Sequence, residues 1–317
     1  MFLKRFTFLA VFATVFTSAT AQRLDATFDL VRFKAAGNQN MVELYCTVNG
    51  NSVNYQKVPG GFQASVALEV QFADSAGIKN FEKMLLRSPV TADTSKMLPA
   101  FNVQKRFALK NGKYTFSGTA RDVNSTAKAN SFEVPLVVDF QENTVQLSDI
   151  QLLESYEKTS KRNDYTKNGY QLVSYVSNFY PKGMDQLKFY AELYNTEAAL
   201  GKDKPMVVFF RVFPTRDNLS KLTLSTQKIM TTAPVHVLLQ DFAIGSLPSG
   251  NYEFVIEVRS EDNQILARQS RFFQRSNPQT ETPGILAGPE NGSLPPAFAS
   301  LTDSLKLNLY LRSHKPI

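Results

Sequence analysis

The feature that most constrains this chain is the two-residue period of its apolar positions. In Val42-Glu43-Leu44-Tyr45-Cys46-Thr47-Val48, one face carries Val42, Leu44, Cys46 and Val48. In Leu187-Lys188-Phe189-Tyr190-Ala191-Glu192-Leu193, one face carries Leu187, Phe189, Ala191 and Leu193. Successive side chains of a strand point to opposite sides of its sheet, so this alternation marks strands with one buried face. The same reading covers 27–33, 62–72, 113–121, 131–140, 206–213, 219–230, 235–242, 251–259 and 265–273. Turn signals separate these runs: Asn49-Gly50-Asn51, Pro59-Gly60-Gly61, Asn111-Gly112, Pro181-Lys182-Gly183 and Ser249-Gly250. Many short strands broken by turns predict an all-β chain of antiparallel sandwiches.

The chain also repeats itself. Leu109-Lys110-Asn111-Gly112-Lys113-Tyr114-Thr115-Phe116 matches Leu247-Pro248-Ser249-Gly250-Asn251-Tyr252-Glu253-Phe254, with Leu, Gly, Tyr and Phe at identical spacing. The two alternating strands quoted above match in the same order, and between them 62–72 pairs with 206–213. The offset shrinks steadily along the chain, as it does when one copy has longer loops. Three ordered matches predict two tandem immunoglobulin-like antiparallel β-sandwiches. In the Leu-x-x-Gly-x-Tyr pattern, the glycine permits the turn into a strand. The tyrosine then packs its ring while its hydroxyl bonds back to the loop. Tyr114 and Tyr252 are thereby assigned as structural tyrosine corners rather than catalytic groups.

Residues 1–21 read as a signal peptide. Lys4 and Arg5 form a basic start, 6–16 are apolar but too short to span a bilayer, and Ala19-Thr20-Ala21 fits a cleavage site. Export through the Sec pathway to the periplasm or the cell surface is expected, with no transmembrane segment in the mature chain. Domain one is placed at 22–153, a linker at 154–167 and domain two at 168–275. A Pro/Gly-rich linker follows at 276–297. An amphipathic helix is expected at 298–317, where Leu301, Leu305 and Leu309 share one face and Ser300 caps it with Asp303. That helix either begins a truncated third domain or docks back on a sandwich.

The full chain carries a formal charge of +7. Its densest basic run is Lys158-Thr159-Ser160-Lys161-Arg162-Asn163-Asp164-Tyr165-Thr166-Lys167. Export and the interleaved acid argue against nucleic acid as a partner, and a solvated connector is the reading adopted. With 1 Cys and 2 His there is no intrachain disulfide, no cysteine zinc site and little for a histidine-rich metal site. No cofactor, metal or catalytic residue is assigned. Cys46 lies on the apolar face of its strand, and its counterpart in the second copy is Ala191, so a packing role is expected. His236 sits in a strand without a nucleophile-elbow sequence to anchor a triad. Glu43, Glu69, Asp139, Glu192 and Glu257 are scattered, mostly at outward strand positions where solvated charge is the ordinary explanation. Tyr190, Glu192 and Tyr194 share one strand's outer face and form a candidate interaction surface. Contact with the other domain is favoured there, with a partner or a sugar as alternatives.

The segment Phe189-Tyr190-Ala191-Glu192-Leu193-Tyr194-Asn195, after Tyr175 and Phe179-Tyr180-Pro181, resembles the bacterial GWxTD domain-containing proteins. So do Leu147-Ser148-Asp149-Ile150 and the terminal 307–317 (LNLYLRSHKPI). The resemblance spans about 25–317. It implies an exported protein with N-terminal β-sandwich regions ahead of the domain that names the family, whose biochemical role is not established. The chain has 0 Trp, so the Gly-Trp-x-Thr-Asp motif is absent, and the sequence ends where that domain would begin. The expectation is a non-catalytic cell-envelope protein acting in protein–protein interaction or scaffolding. Its partner would be another envelope protein or its own missing C-terminal domain. A glycan-binding module, or the front part of an enzyme whose active domain is lost, are the alternatives.

Overall fold

The computed structural model describes residues 24–35, 40–215 and 223–278. The signal segment, the Pro/Gly-rich stretch, the expected terminal helix, His314 and the family-like 307–317 lie outside the described residues. What is described is almost entirely strand, with one short helix, α1 (Thr196–Leu200).

The first sandwich runs β1 (Ala26–Lys34), β2 (Asn40–Val48), β3 (Tyr55–Val58), β4 (Gly61–Asp74), β5 (Gly77–Arg87), β6 (Phe101–Leu109), β7 (Gly112–Asp122) and β8 (Asn130–Val138). One sheet has the order β1-β2-β6; the other is β3-β4-β7-β8, with β5 paired to the opposite side of β4. The second sandwich runs β9 (Gln146–Leu147), β10 (Gln151–Lys158), β11 (Thr166–Lys167), β12 (Tyr170–Ser174), β13 (Phe179–Tyr180) and β14 (Gln186–Tyr194). It continues through α1 to β15 (Pro205–Pro214), β16 (Leu224–Thr231), β17 (Val235–Ala243), β18 (Gly250–Ser260) and β19 (Ile265–Arg275). Its sheets have the orders β11-β12-β10-β14-β17, with β9 beside β14, and β13-β19-β18-β15-β16. Strand β10 stands where β1 stood, β14 where β2 stood, and β17 where β6 stood. In the facing sheet, β16-β15-β18-β19 repeats β5-β4-β7-β8. The sequence matches thus fall on topologically equivalent strands: β2 with β14, β4 with β15, β7 with β18.

Each sandwich closes over its own core. In the first, the rings of Phe72 and Phe116 lie 4.8 Å apart and those of Phe28 and Phe132 also 4.8 Å. In the second, Phe189 and Phe254 approach to 4.7 Å and Phe242 and Phe254 to 5.4 Å. Offset, tilted ring pairs of this kind add to the area they bury. Cys46 is wholly buried in the first core, and burial pushes its thiol pKa up, away from the reactive thiolate. The Tyr114 hydroxyl donates to the Lys110 carbonyl at 2.9 Å, and Tyr252 donates to Pro248 at the same distance. At Gly112 a Cβ would stand 3.2 Å from the Tyr114 hydroxyl, and at Gly250 3.3 Å from that of Tyr252. The glycine therefore makes room for the folded-back ring.

Two expectations are corrected. Residues 151–158 form a continuous strand, and β10 hydrogen-bonds to β14 and β12 rather than to anything in the first sandwich. The second sandwich therefore begins before residue 153, and the expected linker 154–167 supplies most of β10 and all of β11. The polar character of 154–158 reflects a strand whose far half is exposed, not a connector. Three of the five carboxylates taken as solvated are also buried: Glu43, Glu192 and Glu257 are 0%, 7% and 6% exposed. Glu257 is held by Arg259 at 2.7 Å and Arg211 at 3.2 Å within its own sheet. The other two lead to the junction of the sandwiches.

Candidate functional site

Strands β2 and β14 are buried on both faces, as their burial patterns show. Their inner faces feed the two cores. Their outer faces meet in a third apolar cluster: Val31, Phe33 and Tyr45 from the first sandwich against Leu153, Leu172, Val176 and Tyr190 from the second. A strand whose two faces are both occupied has no position left for an unsatisfied charge, and the buried carboxylates of this seam are each held by several donors.

Glu43 accepts from Arg106 Nε at 2.8 Å, from Lys167 Nζ at 2.8 Å and from the Tyr45 hydroxyl. Lys167, from the second sandwich, stands 3.3 Å from the centre of the Phe33 ring and 5.1 Å from that of Tyr190, an arrangement that favours a cation. Glu192 accepts from the Tyr190 hydroxyl, from Tyr194 at 2.7 Å and from Asn168 Nδ2 at 3.0 Å. Tyr194 in turn accepts the Lys34 backbone N–H across the seam at 3.1 Å. The candidate trio Tyr190, Glu192 and Tyr194 is thus placed inside the contact between the sandwiches; Tyr190 and Tyr194 are 0% and 2% exposed.

Two further ion pairs flank this centre. Arg32 grips Asp149 through Nε at 2.7 Å and Nη2 at 2.6 Å, while Asp149 also accepts from Gln269 at 2.7 Å. Arg271 engages Asp29 through both terminal nitrogens, at 2.6 and 3.2 Å. None of these partners was assigned from sequence except Glu192, Tyr190 and Tyr194. The missed signal was the glutamate at an outward position of a strand rich in large apolar residues, read as solvated.

The electrostatics follow from desolvation. Burial raises the pKa of Tyr45, Tyr190 and Tyr194, and the neighbouring glutamates raise it further, so all three stay neutral donors. Burial works against the Asp149 carboxylate, yet Arg32 by charge and hydrogen bonds holds its pKa below the usual value. Lys167 moves the other way: burial, opposed by Glu43 and Glu192, brings its pKa down to about 8. The sign of the linkage is then fixed. Between pH 8 and 10 the unfolded chain keeps the Lys167 proton and the folded chain has released it, so this group makes stability rise with pH. Across the whole shift the gain is on the order of 3 kcal/mol. Above pH 10 the buried tyrosines reverse the slope, because they ionise in the unfolded chain and not in the fold. Urea unfolding from pH 7.5 to 10 is expected to show the rise in the native protein and its loss in Lys167→Met; parallel curves for the two would refute it.

Other features are simpler. His236 is half-buried, pairs in register with Leu193 and lies with Nε2 3.1 Å from the Thr196 hydroxyl; burial lowers its pKa. Cys46 belongs to the first core and His236 to the second sandwich, so the two do not form a site. Among the described residues no group of three His, Cys, Asp or Glu side chains is placed to hold a metal, and no helix is long and apolar enough to cross a membrane. An open trough of about 490 Å³ crosses the outer face of β5-β4-β7-β8, with Phe81 at one rim and Glu133 at the other.

No family model matches the chain, and no curated protein matches it. Among solved structures it is similar to one described as "Biofilm associated protein - BSP domain", at 10% identity and a TM-score of 0.23, over 82% of this chain and 53% of that one. It is similar to a glycosyl hydrolase family 2 member from Bacteroides cellulosilyticus, at 9% identity and 0.26, over 73% and 26%. A calcium-binding mutant of Bacteroides uniformis beta-glucuronidase 2 matches at 6% and 0.23, over 77% and 27%. The chain spans about half of the first of these and about a quarter of the other two. Likeness at this level carries no argument about this chain.

Proposed function

We propose that this is an exported, non-catalytic cell-envelope protein whose two sandwiches, held as one body, act in protein–protein interaction or scaffolding. The observation that supports this most is the seam. Desolvated ion pairs give little net energy but demand one geometry, and here they surround a shared apolar cluster. Contacts between domains of one chain usually resemble transient interfaces and permit relative motion; a contact of this composition favours a fixed orientation, which suits a part that positions partners. The non-catalytic reading is supported by the packing of Cys46, Tyr114 and Tyr252 and by the separation of the two buried carboxylates, Glu43 held by Arg106 and Lys167 and Glu192 by two tyrosines and Asn168. The signal-like N-terminus and the resemblance to GWxTD domain-containing proteins support export.

The rigid arrangement is tested by spin labels at Thr119→Cys in β7 and Gln227→Cys in β16, with buried Cys46 left unlabelled. One narrow distance distribution by pulsed electron resonance is expected. A broad distribution would overturn the rigid body, and recovery of the protein in the cytoplasmic fraction alone would overturn export.

A further inference from the structure

Beside the ion network the seam leaves a cavity. About 240 Å³ opens where β2 and β6 of the first sandwich face β12 and the approach to β11 in the second. Tyr45, Asn102 and Gln104 form one wall, Tyr165, Gln171 and Ser174 the other, with valines between them. No lining side chain carries a charge, which sets this hollow apart from the salt-bridged centre next to it.

The hydrogen-bonding groups of these walls are half committed. Gln104 donates to the Asp164 carbonyl at 3.0 Å, leaving its own Oε1 open, and Gln171 Oε1 accepts from Asn163 at 3.0 Å, leaving its amide N–H groups open. An independent observation lies at the Ser174 wall. Gln151, 2% exposed, donates to the Ser174 hydroxyl at 2.7 Å, while its buried Oε1 has no hydrogen-bond partner. A buried acceptor left without a donor is costly, and it leaves the polar set behind the Ser174 wall incompletely satisfied.

Chemistry and size then define the occupant. Two tyrosine rings and valines suit the C–H faces of a ring compound. Amides and a hydroxyl, presenting donors and acceptors without charge, suit several neutral hydroxyl groups. The volume lies below the ~300–1,000 Å³ of sites for drug-sized ligands, which admits one ring and not two. Small-molecule sites also favour domain junctions. We infer that this cavity binds a single uncharged sugar unit, gripped by both sandwiches at once. The inference rests on the fixed arrangement proposed above, since either wall alone is only half a site.

The test is saturation-transfer NMR on the full chain with a panel of methyl glycosides of glucose, galactose, mannose, xylose and N-acetylglucosamine. Transfer to at least one glycoside is expected, reduced at least five-fold by Asn102→Ala, at an exposed position, and abolished by Val173→Phe, which fills the hollow. Absence of transfer to every probe overturns the inference, as does equal transfer in the native chain and both variants. Spin-label distances on the same samples separate the causes. A narrow distribution with no transfer removes the sugar site alone, whereas a broad one removes the fixed seam and the site with it.

Discussion

Glu43→Ala is expected to lower the unfolding free energy by about 3–5 kcal/mol, because it strips a buried pair of its anion and leaves the cation in place. Lys167 would lose its 2.8 Å partner while remaining wedged against Phe33, and Arg106 and the Tyr45 hydroxyl would lose theirs. The loss falls on the seam rather than on either core. The variant should therefore do more than shift the midpoint: a single urea transition in the native chain should separate into two as the sandwiches uncouple. Circular dichroism follows the total, and amide exchange in β7 and in β18 reports each half. A change under ~1 kcal/mol would mean that the cage around Glu43 stays hydrated in solution.

Phe254→Ala is the second large effect, also about 3–5 kcal/mol, but its origin is a cavity. Phe254 is 0% exposed and stands between Phe189 and Phe242, so the vacated volume is walled by rigid rings and sheet on both sides. Such a site collapses poorly, and the cost should lie toward the upper end of the range. Thermal unfolding reads it directly. Because the seam couples the halves, amides of the first sandwich should lose protection as well, although none of them touches residue 254. Full protection of β7 in this variant would show the halves to be independent.

The two variants bear on different levels of what the residues disclose. The cores were legible: period-two apolar runs in β2, β4, β7, β14 and β18 needed only pleat geometry, and the turn glycines before Tyr114 and Tyr252 announced equivalent strands. Other strands were hidden by charge. Strand β5 carries Lys79, Lys83 and Arg87, and β6 carries Lys105 and Arg106. Edge strands need such side chains to resist pairing with other chains, and the same residues erase the apolar period. Strand β10 was obscured by Glu154, Glu157 and Lys158 for a similar reason. The seam was illegible for a deeper cause. Alternation tells which side of a strand is greasy, not whether the other side meets water or a second sheet. Glu43 and Glu192 look like solvated residues until Arg106, Lys167 and Asn168 arrive from positions distant in sequence, and no local pattern encodes that convergence.

The doubly covered β2 has a consequence for how the molecule is made. A chain proposed to cross a membrane unfolded emerges N-terminal end first, and the first sandwich contains every strand it needs by Val138. Its finished outer face then presents Val31, Phe33 and Tyr45, with the Glu43 carboxylate among them, until Lys167 and Tyr190 have emerged and their strands have paired. For that interval the emerging chain displays a sticky, half-neutralised patch that can find the wrong neighbour as easily as the right one. Chaperone attendance should therefore be needed most in the window between the completion of β8 and the arrival of β14.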